Sequence, residues 1–163
     1  MVKWAVENSQ VITRELWIWA GGEEDEYADE MLTRDMCAHA ARLGCLEVLK
    51  WARSYMRRWP WDETTCSAAA GGGHLEVLRW ARRQQPRAPW NTLTCAEAAK
   101  GGHLGVLQWC RHNQCPVDEW TCAGAALGGH LAVLQWAREH GCPWDAKTCT
   151  HAAEAGRCRL TPG

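Results

Sequence analysis

The sequence predicts an all-α fold made of repeated helix–turn–helix units. Four segments align almost residue for residue: CAHAARLGCLEVLKWAR at 37–53, CSAAAGGGHLEVLRWAR at 66–82, CAEAAKGGHLGVLQWCR at 95–111 and CAGAALGGHLAVLQWAR at 122–138. Within each, apolar residues recur at helical spacing on either side of a central glycine. Each is followed by a proline-led turn. A unit this small cannot bury its own apolar face, so neighbours must stack.

The elements follow in order. Residues 1–32 read as a degenerate or partial N-terminal repeat. Val2-Lys3-Trp4-Ala5 looks like the end of a second helix, residues 12–22 like a worn first helix, and Glu23, Glu24, Asp25, Glu26, Asp29 and Glu30 form an acidic segment around Tyr27. The repeat domain spans 33–158, with units at about 33–63, 64–92, 93–119 and 120–146 and a partial unit at 147–158; residues 159–163 form a tail. The register cysteines Cys37, Cys66, Cys95, Cys122 and Cys149 are spaced 29, 29, 27 and 27 residues apart. The two-residue difference falls between the second helix and the following proline, where a loop insertion costs little.

Each first helix is expected to run from about the Asp or Asn of the Pro-Trp-Asp motif or its variants, such as Pro116-Val117-Asp118, to the glycines. Asp62, Asn91, Asp118 and Asp145 are suited to cap its start with a short side-chain oxygen. The alanine pairs (Ala40-Ala41, Ala69-Ala70, Ala98-Ala99, Ala125-Ala126) favour helix and let neighbouring helices approach closely. Glycines at 72–73, 101–102 and 128–129 end it, where a left-handed residue is usual. The second helix follows, as in residues 74–83, with Leu75, Val77, Leu78 and Trp80 apolar and Glu76 and Arg79 turned away.

These residues resemble an ankyrin-repeat protein. The match is AAxxGHLEVL, carried by Ala69, Ala70, Gly73, His74, Leu75, Glu76, Val77 and Leu78 and repeated at 98–107 and 125–134. The closest likeness is to short-period ankyrin-like arrays of large DNA viruses, algae and other protists, whose GCPWD ending stands here as Gly141-Cys142-Pro143-Trp144-Asp145. The resemblance implies an ankyrin-like helical solenoid. Ankyrin units usually run to about 33 residues, and the residues missing here fall where those repeats carry a β-hairpin. The hairpins are therefore expected to be reduced or absent. Both ends start or stop inside a repeat, which reads as a fragment, a truncated gene or a decayed array.

Composition narrows the function. The chain has 163 residues, 47% hydrophobic and 23% charged, with twelve Trp, ten Cys, no Phe and a net charge of −1. Residues 1–32 carry −6 and residues 33–163 carry +5. No global field recruits nucleic acid or acidic membranes, and no apolar run approaches the roughly 20 residues of a membrane span. No export signal is legible, so the expectation is an intracellular protein, cytoplasmic or nuclear, with its cysteines as thiols.

The recurring residues read as structural. The register cysteines behave as small buried apolar groups. Trp51, Trp80, Trp109 and Trp136 stand where ankyrin helices bury a leucine. His74, His103 and His130 are expected to satisfy backbone groups at the start of the second helix. Arg53, Arg82, Arg111 and Arg138 lie near helix C-termini, where a cation is favourable. No nucleophile–base–orienter set and no phosphate loop is visible, so no catalytic residue, no cofactor and no metal is assigned, and the chain is read as a non-enzyme.

Comparing the units shows which positions vary. One ladder is Asp35, Thr64, Leu93, Trp120 and Lys147. A second is His39, Ala68, Glu97, Gly124 and His151, and a third Arg42, Gly71, Lys100, Leu127 and Glu154. From these, Asp35, His39, Arg42, Thr64, Leu93, Glu97, Lys100, Trp120, Leu127 and Lys147 are the candidate partner-binding residues. By the resemblance they line a concave face. The leading expectation is a monomeric protein–protein interaction scaffold that binds an unidentified protein there, without nucleic acid or membrane. One alternative is a metal- or redox-responsive protein using Cys110, His112 and Cys115; another is a non-functional repeat fragment.

Overall fold

A computed structural model describes residues 37–55 and 62–144, without the side chains of residues 51, 52, 54 and 55. Among these residues lie eight helices and no strand: α1 (residues 37–42), α2 (Leu46–Tyr55), α3 (Glu63–Gly71), α4 (Leu75–Arg83), α5 (Thr92–Lys100), α6 (Leu104–His112), α7 (Glu119–Gly128) and α8 (Leu131–Glu139). Each unit contributes a first helix (α1, α3, α5, α7) and a second helix (α2, α4, α6, α8). The readings made for residues 1–32, for the partial unit at 147–158 and for the tail fall outside the described residues.

The helix starts follow from the sequence. The side chains of Asp62, Asn91 and Asp118 accept hydrogen bonds from the backbone amides of Thr64, Leu93 and Trp120 at 3.0, 3.0 and 3.1 Å. Each satisfies one of the amides that a helix start leaves orphaned, an interaction whose loss costs about 1 kcal/mol. The connection from α4 to Asn91 is two residues longer than that from α6 to Asp118, which is where the change of period lies.

The first helices pack side by side in chain order, α3 on α5 and α5 on α7, and these are the most extensive helix–helix contacts among the described residues. Small residues allow the approach, with Gly71 against Glu97 and Gly124 against the Ala96 carbonyl and the base of Lys100, among buried alanines. The core runs along the seam between first and second helices. Leu49, Leu78, Leu107 and Leu134 are buried there with Val77, Val106 and Val133. Burial of one such side chain stabilises by about 1.5–3 kcal/mol.

The tryptophans depart from expectation. Trp80, Trp109 and Trp136 are half-buried rather than central, because the leucine two residues earlier in each helix takes the enclosed position. They cover the core from its rim. Trp109 meets Trp90 of the preceding unit edge-to-face at 5.8 Å. The Arg82 guanidinium lies 3.9 Å from the centre of the Trp90 ring. The side chain of Trp51 lies outside the described residues, as does Trp61.

The histidines also work differently. His74, His103 and His130 occupy the N-cap positions of α4, α6 and α8, but none donates or accepts a side-chain cap hydrogen bond there. Each ring instead reaches back to the preceding unit. A Cβ placed on Gly44, Gly73 or Gly102 would stand 2.5–2.6 Å from the ring of His74, His103 or His130. The His103 Nε2 also pairs with the Gly71 carbonyl at 3.1 Å. Backbone explains the choice: the histidine sits at the junction of two helices, so its ring points across the joint and not along its own first turn. Gly73 has φ +78°, the left-handed region, and it is glycine for two reasons: the backbone requires it and the ring leaves no space for a side chain. Two of the arginines bridge units in a similar way. Arg53 donates to the Gln85 carbonyl at 3.2 Å and Arg111 to the His140 carbonyl at 3.5 Å.

Candidate functional site

The three variable ladders fall on one surface. Within each first helix they occupy positions separated by four and then three residues, such as 93, 97 and 100 in α5 and 120, 124 and 127 in α7. That spacing puts them on a single stripe. Neighbouring stripes lie side by side because the first helices pack in order.

The outer rows are open to solvent. Leu93 and Trp120, at equivalent places in the first turns of α5 and α7, are each 51% exposed. Thr64, Arg42 and Lys100 are exposed, as is Leu127, while Gly71 is half-buried; in the middle row His39 is exposed. Glu97 is half-buried and pairs with Lys100 at 3.8 Å within α5. The middle row does not present side chains everywhere. Ala68 and Gly124 are buried, contrary to a uniformly exposed ladder. The reason is the close approach of the helices: a Cβ on Gly124 would lie 2.6 Å from the Ala96 carbonyl oxygen and 3.4 Å from the Lys100 Cβ. The surface is thus an apolar edge, Leu93 and Trp120, beside a Glu97–Lys100 pair and the Leu127 side chain. Asp35, Lys147, His151 and Glu154 lie outside the described residues.

Cys37, Cys66 and Cys122 are buried as small apolar groups and belong to no three-residue ligand cluster among the described residues, whereas Cys45 is exposed. Burial pushes the Cys66 thiol up to about 12, against the opposing effect of Arg82. Burial, reinforced by Asp62, raises Cys37 to about 11, and burial raises Cys122 to about 11. These thiols stay protonated and inert. Cys149 lies outside the described residues.

The third unit is different. The Sγ atoms of Cys95 in α5, Cys110 in α6 and Cys115 in the following loop lie within 4.8 Å of one another, and all three residues are buried. The Cys115 thiol also contacts the Asn91 carbonyl at 3.5 Å. Two neighbouring thiols, Cys110 first and Cys115 second, face the Cys95 sulfur and hold its pKa well below the ordinary thiol range, outweighing burial. Cys110 moves the opposite way, through the Cys115 and Cys95 sulfurs and then burial. Cys115 is raised too; Cys110 favours its thiolate, but the Cys95 sulfur and burial outweigh that. The pairing of Cys110 with His112 is corrected by this geometry. His112 is exposed in the last turn of α6 and stands outside the cluster, while Cys95 takes the third place.

No protein-family model matches the chain, and no curated protein matches it as a relative.

Cys95 was hidden by its own regularity, since it recurs once per unit. The signal lay in comparing three positions together. Aligned triplets are Cys66, Ala81 and Ala88 in the second unit, Cys95, Cys110 and Cys115 in the third, and Cys122, Ala137 and Cys142 in the fourth. Only the third carries sulfur at all three. Arg83 and Arg87, prominent as extra basic residues in the sequence, line a cleft of about 280 Å³ with Arg79, Arg82, Trp90 and Trp109. Arg82 is already engaged there, donating to the Ala88 carbonyl at 2.6 Å.

Proposed function

We propose that this chain is a non-catalytic protein–protein interaction scaffold, an ankyrin-like helical array that binds its partner on the exposed stripe of the first helices. The observation that carries the reading is the apolar edge of Leu93 and Trp120. Two large apolar side chains stand half in solvent at equivalent positions of adjacent units, where the unit before them has Thr64. A scaffold held constant while one stripe changes is how repeat arrays acquire distinct partners. Trp is also the residue most often found to dominate an interface. Small residues bring the first helices together, while the half-buried Trp80, Trp109 and Trp136 stand on the second helices. An array packed so would curve toward the first helices and make their stripe its concave side.

The test compares captured proteins. Wild-type chain and the variant carrying Trp120→Ala with Lys100→Glu are used as bait under identical conditions, with Arg83→Ala as a control away from the stripe. A partner retained by wild type and Arg83→Ala and lost by the double variant, at unchanged helicity, is the expected result. Retention by all three places the interface elsewhere.

A further inference from the structure

We propose that Cys95, Cys110 and Cys115 form a binding site for a soft, thiophilic metal ion held by three sulfurs, with copper(I) as the ion that fits best. The inference is independent of the partner-binding stripe. It rests on three sulfur atoms from three separate parts of one unit converging within 4.8 Å. A metal–thiolate bond of about 2.3 Å places the sulfurs of a three-coordinate site about 4 Å apart. Less than about 1 Å of closure therefore brings the present arrangement to ligand geometry.

The donor set decides the class of ion. Thiolates select copper(I), zinc and iron–sulfur clusters over hard cations. Structural zinc asks for four ligands, and among the described residues only these three meet as a metal-ligating group. A buried three-sulfur set with no fourth ligand among the described residues suits a monovalent ion that accepts low coordination. Each sulfur that ligates releases its proton to solvent, and no electron is transferred. The three ligands come from separate elements, Cys95 from α5, Cys110 from α6 and Cys115 from the following loop, and all three are buried.

The neighbouring units supply the control. Ala81 and Ala137 fill the place of Cys110 in α4 and α8 and are buried there without disturbing the helix. Cys110→Ala is therefore a substitution the fold already uses twice. The full chain is reduced with a non-thiol reductant and titrated anaerobically with copper(I) against a chromophoric copper(I) chelator. Wild type is expected to withdraw one equivalent from the chelator. Cys110→Ala is expected to lose at least tenfold in affinity at unchanged helicity, and Cys122→Ala, which removes a thiol outside the cluster, to retain the wild-type value. X-ray absorption of the copper complex should give three sulfur neighbours. Equal binding by wild type and Cys110→Ala overturns the site, as does a two-sulfur copper environment. Zinc(II) bound in preference to copper(I), with the same dependence on Cys110, overturns the three-coordinate assignment.

Discussion

Replacing Gly73 with Ala should destabilise the array in a way that depends on a side chain thirty residues away. Two costs are separable. A residue with a Cβ at φ +78° loses about 1–2 kcal/mol to local sterics. The new methyl also falls 2.6 Å from the Cε1 and Nδ1 atoms of His103, and making room in a packed joint costs typically about 1–3 kcal/mol. The single variant should therefore lose about 2–5 kcal/mol. His103→Ala should lose about 1 kcal/mol through its bond to the Gly71 carbonyl, together with the ring contact. In the double variant the clash is gone and only the backbone cost of Gly73→Ala remains. The coupling between the two sites should thus be about 1–3 kcal/mol, with the double variant more stable than the sum of the singles implies. Urea unfolding of all four proteins, followed by helicity and tryptophan fluorescence, measures it. Additivity within about 0.3 kcal/mol would refute the ring-on-glycine joint.

Three further outcomes follow from single residues. Thr65, Thr94 and Thr121 are buried with hydroxyls that have no hydrogen-bond partner among the described residues. Thr94→Val keeps the shape and removes the polar group, so urea unfolding should show unchanged stability or a gain of up to about 1 kcal/mol. A loss of that size would mean the hydroxyl is satisfied. Gln114 is a non-glycine residue at φ +64°, where the following unit has Gly141 at φ +69°. Gln114→Gly should raise stability by about 0.5–1 kcal/mol, and a lowered thermal midpoint would contradict the strained assignment. Finally, Cys37, Cys66 and Cys122 have raised pKa values in the fold. The folded state holds their protons more tightly than the unfolded chain. Stability from this source is full below the ordinary value of 9.0 and is lost as pH rises from there toward about 11–12. Denaturant midpoints between pH 8 and pH 11 should fall accordingly, and the fall should shrink in Cys66→Ala.

Much of the local structure was legible in the letters. Asp62, Asn91 and Asp118 announce helix starts because a short oxygen beside an orphan amide is a local matter. The glycine pairs announce helix ends for an equally local reason. What crosses from one unit to the next was not legible. A histidine after two glycines reads as a cap for its own helix, and only the three-dimensional joint shows its ring on the preceding unit. Ala68 and Gly124 read as open positions until the separation of the first helices is known. Trp109 reads as core because the alphabet marks it as apolar, yet Leu107 already fills the enclosed place. The three-sulfur cluster depends on Cys95, which its regular spacing disguised as filler.

The repeated joint has a consequence for the length of the molecule. His74 covers Gly44, His103 covers Gly73, and His130 covers Gly102, each by the same approach. Excising residues 93–119 would bring His130 onto Gly73 and recreate a contact the protein already makes. Duplicating the same stretch would add one more of the same kind. Length is therefore a free variable at the level of the gene, altered by whole units without inventing an interface, while the stripe on the first helices changes letter by letter.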